Sequence, residues 1–195
     1  MDRDAFWEVV ERVRQRVEND CPHLPVNQKC KRSQDRLGRE LQNTTPAEVE
    51  SFQDYLQLTV AEAYTSQLYA VSYLVNGGGS LDGFYYFRAW LVFQGREIHR
   101  RAIADPDSLA DLCTVRGIVA EYECEEVLNV AKRLYEERTG EQMDWRSDPG
   151  DLGQQMPGER WEDADLPALL PRLARIHLES KGGSVEPGDT VEGAT

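Results

Sequence analysis

The sequence predicts an all-α protein, a single-domain bundle of about six to seven helices arranged around a long central helix. Three observations predict it. Apolar side chains recur every three to four positions from Phe6 to Leu134, the period of one helix face. Cap-and-proline helix starts stand at Thr45-Pro46 and Asp105-Pro106. Nowhere do two alternating apolar runs flank the short turn of a β-hairpin. With 195 residues, 40% of them hydrophobic, the chain is long enough for one sizeable core.

The elements follow in order. Residues 4–19 carry Phe6, Val9, Val10, Val13 and Val17 on one stripe, with Asp4 as the expected N-cap and Cys21-Pro22 as the exit. Residues 29–39 concentrate Lys29, Lys31, Arg32, Arg36 and Arg39 on a short helix with Leu37 and Leu41, ending near Asn43. This basic face reads first as a partner for nearby acids and second as an anion site. Thr45-Pro46-Ala47-Glu48 forms a capping box with proline at the first helical position. Behind it, no proline or glycine interrupts residues 46–75, which predicts one helix about 45 Å long.

Asn76 and three glycines end that helix, and Ser80 or Asp82 caps the next, which carries Phe84, Phe87, Trp90 and Leu91. That helix ends at Gly95 or runs on to Ala104. Asp105-Pro106-Asp107-Ser108 starts another, and residues 115–138 are expected to form a helix that turns Val119, Tyr122, Val127, Val130 and Leu134 inward, with Gly140 at its end. The expected organisation is a helical core over residues 1–140 and an acidic ordered loop over 141–165, pinned by Met143, Trp145, Met156 and Trp161. A C-terminal helix over 166–180, with Pro171 near its start, then packs on the core, and residues 181–195 form a disordered tail.

Charge narrows the function. The formal net charge is −13, and residues 121–165 alone hold fourteen acids against five bases. Such a surface repels phosphate backbones, so no nucleic-acid partner is expected. No stretch approaches the roughly 20 apolar residues of a membrane span, and the first residues lack a basic-then-apolar leader, so a cytoplasmic protein with no membrane contact is expected. Cys21, Cys30, Cys113 and Cys124 form no C-x-x-C pair and read as reduced thiols, with Cys113 and Cys124 in the core and Cys21 exposed.

Motifs for cofactor chemistry do not assemble either. None of His23, His99 and His177 stands three residues after a glutamate, as a di-metal bundle requires. Gly77-Gly78-Gly79 follows a helix rather than a strand and lacks the phosphate-loop lysine, so it reads as helix punctuation. No metal and no cofactor is expected.

With these segments in view, the chain resembles a family of bacterial domains numbered 4240 among the domains of unknown function. Phe6-Trp7-Glu8 is similar to the family's opening helix. Residues 79–91 resemble its S-D-D-x-F-x-x-F-R-x-W-L signature, and Asp105-Pro106-Asp107-Ser108-Leu109-Ala110 resembles its D-P-D-S-L-A segment. Leu81 stands where that signature has the first of two acids. The resemblance covers roughly residues 2–140, implies a helical domain and brings no reaction with it.

One constellation suggests a site: Ser80, Asp82, Tyr86, Arg88 and Trp90. Asp82, Tyr86 and Trp90, four residues apart, share a helix face opposite Phe84, Phe87 and Leu91. A carboxylate, a phenol and an indole at a helix start could line a small pocket that Arg88 clamps from a neighbouring face. His99 completes the set, because its convergence with Asp82 and Arg88 on one pocket would mark an active site. The alternative is structural: Asp82 caps, Arg88 pairs and Trp90 packs. Two functions follow. The first is a non-catalytic binding or regulatory module for a basic protein partner or a small anionic ligand. The second is a small enzyme or ligand-binding protein built around residues 80–90.

Overall fold

The computed structural model describes residues 1–114, 121–144 and 152–178. Among the described residues there are nine α-helices, three short 3-10 helices and no strand. The all-α bundle predicted from periodicity is what forms, built from more and shorter helices than expected.

Helix α1 (Arg3–Asp20) buries Phe6, Trp7, Val9, Val10, Val13 and Val17. Its N-cap is Asp2, whose carboxylate accepts from the Ala5 N–H at 2.9 Å, so the cap lies two residues before the expected Asp4. Helix α2 (Val26–Leu41) packs along α1. The basic face of α2 is largely paired: Lys29 reaches Glu18 at 2.9 Å, and Arg36 reaches Asp20. In return Glu40 of α2 takes Arg12 at 2.8 Å and Arg16 at 3.0 Å. These bridges are half-exposed and align the two helices more than they stabilise them.

Helix α3 (Pro46–Glu62) begins with the predicted capping box, Thr45 and Glu48 each serving the other's backbone N–H. The long central helix does not form. The chain breaks at residues 63–65 and restarts as α4 (Ser66–Asn76), capped by the Thr65 hydroxyl on the Leu68 N–H. Both sides of the break are held from far along the chain. The carbonyls of Thr59 and Val60, in the last turn of α3, are bonded by His99 and Arg88 at 3.1 and 3.3 Å. Past the break, Ser66 donates its N–H to the Pro157 carbonyl at 2.8 Å, and its own carbonyl accepts from the Trp161 indole at 2.9 Å. A helix end leaves orphan carbonyls, and here distant side chains take them.

Gly77, at φ +76°, closes α4 in the left-handed conformation. Helix α5 (Leu81–Val92) is the core of the molecule, with Phe84, Phe87, Ala89, Leu91 and Val92 buried. Gly95, at φ +96°, turns the chain into α6 (Arg96–Ala104), so α5 and α6 are separate helices. A side chain at Gly95 would also collide with Glu11, whose carboxylate accepts the Arg96 N–H at 3.2 Å. Pro106–Asp111 forms a 3-10 helix rather than an α-helix.

The helix expected over residues 115–138 is a second correction, for which residues 115–120 lie outside the described residues. Glu121 to Cys124 are not helical, Glu125–Asn129 is a 3-10 helix, and only α7 (Val130–Thr139), closed by left-handed Gly140, is an α-helix. The non-helical stretch lies along α5: the Cys124 N–H bonds the Tyr86 carbonyl at 3.0 Å, and the Tyr122 N–H bonds Asn76 Oδ1 at 3.0 Å. Tyr122 and Cys124 are both buried, two apart, as an extended segment buries alternate residues.

The C-terminal part closes the bundle. Met143 is buried and Met156 partly so; Trp161 packs on Tyr69 and Tyr73 at ring separations of 5.8 and 5.4 Å. Trp145 lies outside the described residues, as does the tail expected over residues 181–195. The expected last helix is two pieces, α8 (Leu166–Leu169) and α9 (Pro171–His177), which bury Leu166, Leu170 and Leu173. Asp107 caps α9, taking the Arg172 and Leu173 N–H groups at 3.0 Å each. Among the described residues no helix is long and apolar enough to cross a membrane.

Candidate functional site

The six residues singled out in the sequence do not meet at one place. Ser80 is a cap: its hydroxyl accepts from the Gly83 N–H at 3.0 Å and starts α5. Asp82 lies exposed in the first turn of α5, where a carboxylate complements the positive end of the helix.

Arg88 is fully buried, and its guanidinium lies 4.7 to 5.4 Å from the ring centres of Phe84, Tyr64 and Tyr85. It donates to the carbonyls of Phe84 and Val60, each at 3.3 Å. A cation there faces both aromatic π-clouds and the negative end of α3. His99 is also buried, its ring 5.5 Å from Trp7, and Nε2 lies 3.1 Å from the Thr59 carbonyl. Nε2 therefore carries a proton as the donor. Burial pushes the pKa of His99 down, only partly opposed by the Thr59 carbonyl, which holds the ring neutral near pH 7. Arg88 and His99 thus bond consecutive carbonyls of α3, and they end that helix rather than share a pocket.

Tyr86 and Trp90 go to two different clefts. Tyr86 faces an acidic groove of about 250 Å3, with Glu121, Glu123, Glu125 and Glu126 beside it. Burial, then the neighbouring Glu125, raises the Tyr86 hydroxyl above its ordinary pKa. Half-buried Glu123 is raised too, first by burial and then by Glu121 and Glu125. Lys31 and Asn27 of α2 close the far side. These glutamates come from the segment that the sequence reading placed in a helix.

Trp90 lines the other cleft, which opens between α1, α2 and α5. Its apolar wall is made by Val17, Val26, Trp90, Phe93, Leu112 and Tyr122, with Trp90 and Tyr122 edge to face at 5.1 Å. Arg14, Lys29 and Glu18 form the rim. Ser33 and Gln94 add polar groups, and Gln94 is held by its own donation to the Trp90 carbonyl at 3.0 Å. Cys30 and Cys124 stand together in the wall. A thiol hydrogen bond joins them, and burial raises Cys124 well above its usual range, so Cys124 is not a ready nucleophile.

The cleft volume is about 160 Å3, close to the roughly 150 Å3 that takes up a benzene ring in an engineered protein cavity. Two of its side chains stand out. Trp90 is 4% exposed and Ser33 8% exposed, yet among the described residues neither the indole N–H nor the Ser33 hydroxyl has a hydrogen-bond partner. Neither atom is among the buried polar atoms that lack a partner, so each keeps access to solvent. Sequence reasoning flagged Trp90 and missed Ser33, Arg14 and Val26, because nothing in their spacing ties α1 and α2 to α5.

Comparison with known proteins gives one finding. The family model described as "Protein of unknown function (DUF4240)" matches residues 1–137. The chain belongs to the DUF4240 family. No curated protein and no solved structure matches it. Every residue lining the Trp90 cleft lies inside the stretch matched to DUF4240, as do those of the acidic groove. The C-terminal elements that lock the α3–α4 break lie beyond it. Among the described residues, no group of three or more His, Cys, Asp or Glu side chains is arranged to hold a metal ion.

Proposed function

We propose that this DUF4240 protein is a non-catalytic binding module that takes a small ligand into the cleft between α1, α2 and α5. The observation that carries the reading is a ring-sized, half-open cleft whose aromatic wall stands beside two hydrogen-bonding groups with no partner in the described residues, Trp90 Nε1 and Ser33 Oγ. A ligand would supply the missing partners, and such a mostly apolar cleft with few polar groups is the usual form of a small-molecule site. Nothing in the wall favours catalysis. Both cleft thiols are buried and burial raises Cys124, while Arg88 and His99 are engaged with α3.

The test follows the Trp90 indole N–H resonance during titration with ring-sized fragments, in the native protein and in Val26→Trp, which fills the cleft from its half-buried edge. The expected result is a saturable shift in the native protein that Val26→Trp abolishes while keeping its thermal stability. No shift at millimolar fragment, or an equal shift in the filled variant, would remove the reading.

A second reading rests on the acidic groove. Four glutamates crowd one concave surface, and Glu123 is raised first by burial and then by repulsion from Glu121 and Glu125. A lysine or arginine side chain of a basic partner would relieve it. Salt-dependent retention of an arginine-rich peptide, lost in Glu123→Gln with Glu125→Gln, supports that reading. Equal retention by the double variant counts against it.

A further inference from the structure

We infer that Cys30 and Cys124 are an oxidation site: hydrogen peroxide admitted by the Trp90 cleft converts the two thiols into one intrachain disulfide, which staples α2 to the segment ahead of the 3-10 helix Glu125–Asn129. The inference stands whether or not the cleft also takes a ligand.

The four cysteines are free thiols in three different settings. Cys21 is half-exposed beside Arg32, Arg36 and Arg39 of α2. Cys113 is fully buried away from the cleft, and burial raises its thiol. Cys30 and Cys124 share one wall of the cleft. Cys30 sits on α2, and Cys124 immediately precedes the 3-10 helix that packs against α2. The Cys124 backbone is fixed from a third side, its N–H bonded to the Tyr86 carbonyl of α5 at 3.0 Å. The packing of the two elements thus presents one sulfur to the other, and their side chains are hydrogen-bonded. A disulfide needs the sulfurs about 2.05 Å apart, so its formation draws these two walls of the cleft together.

Burial does not keep the reagent out. Cys30 is 4% and Cys124 1% exposed, yet both line a half-open cleft of about 160 Å3. That is several times the roughly 30 Å3 share of one water, and hydrogen peroxide is little larger than water. Peroxide is also uncharged, so the formal net charge of −13 does not repel it. Bulky charged disulfide reagents fail on size.

The chemistry balances with peroxide as the only co-reactant. Burial makes Cys124 the poorer nucleophile, so the Cys30 sulfur attacks first. It bonds one peroxide oxygen, the O–O bond breaks, and the released hydroxide takes the Cys30 proton and leaves as water. Cys30 is then a sulfenic acid. The Cys124 sulfur attacks that sulfur, the S–O bond breaks, and the departing hydroxide leaves as a second water with the Cys124 proton. The two sulfurs lose two electrons, and the two peroxide oxygens gain them.

The test treats the full native chain with millimolar hydrogen peroxide, alkylates it, and maps its peptides by mass spectrometry without reductant. The expected product is a Cys30–Cys124 cross-linked peptide, two hydrogens lighter than the separate reduced peptides and reversed by dithiothreitol. Cys21→Ser should leave the yield of the cross-link unchanged. Cys30→Ser should abolish it, and the map of the native chain decides the matter alone if that variant does not fold. Recovery of Cys30 and Cys124 as alkylated thiols under conditions that oxidise Cys21 would overturn the inference. So would oxidation of Cys30 to its sulfinic acid with Cys124 untouched, or a cross-link that forms only in denaturant.

Discussion

Arg88 and Trp90 are two residues apart on α5, and they report opposite things. The Arg88 side is closed: the guanidinium is boxed by Tyr64, Phe84 and Tyr85 and ties α5 to the end of α3. The Trp90 side is open: its indole lines a cleft and has no acceptor among the described residues. The sequence places both in one candidate pocket with Ser80, Asp82 and Tyr86, Arg88 clamping it from a neighbouring face. The structure separates them, because a charged group surrounded by partners is doing its work already, whereas unmatched donors leave room for something else.

The largest expected effect tests the closed side. Arg88→Met should destabilise the protein by about 3–5 kcal/mol in chemical denaturation, the scale for breaking a buried charge with its hydrogen bonds. A loss below about 1 kcal/mol would show that the arginine is not structural and reopen it as a functional group.

Next comes a pH effect from His99, on the same closed side. Its folded pKa is lowered below the ordinary 6.5 by burial, so the unfolded chain binds the proton more readily. The stability it preserves is fully present above pH 6.5 and is lost as pH falls through that value towards the lower folded pKa. Denaturation at pH 7.5 and 5.5 should show the drop, and His99→Gln should flatten it. An unchanged slope in the variant would assign the drop elsewhere.

Thr65→Ala should cost about 1 kcal/mol through loss of the α4 cap, and thermal melting measures it. A neutral result would mean that the break between α3 and α4 is held by Arg88, His99 and the C-terminal segment alone. On the open side the effects shrink. Glu123→Gln should stabilise by roughly 0.5 kcal/mol after solvent screening, because its raised pKa makes ionisation unfavourable as pH rises above 4.5. Ser33→Ala should change stability by less than about 0.5 kcal/mol, since its hydroxyl has no partner to lose. Ser33→Ala would break the comparison if it cost as much as Arg88→Met.

The sequence by itself determined the helical class and most helix starts, since caps, prolines and apolar stripes act within one turn of the residues that carry them. Thr45 with Glu48, Ser80 with Gly83, and the left-handed Gly77 and Gly140 all fall where local chemistry puts them. Only the tertiary structure decided the break after Glu62 and the unwinding of residues 121–124. Both rest on hydrogen bonds to partners 28 to 95 positions away, among them Val60 with Arg88, Thr59 with His99 and Ser66 with Trp161, and a periodicity has no term for such partners. The same reason separates Trp90 from Arg88. A helix face can be read from spacing, but whether a neighbour covers it depends on where α1, α2 and the stretch through Tyr122 come to rest.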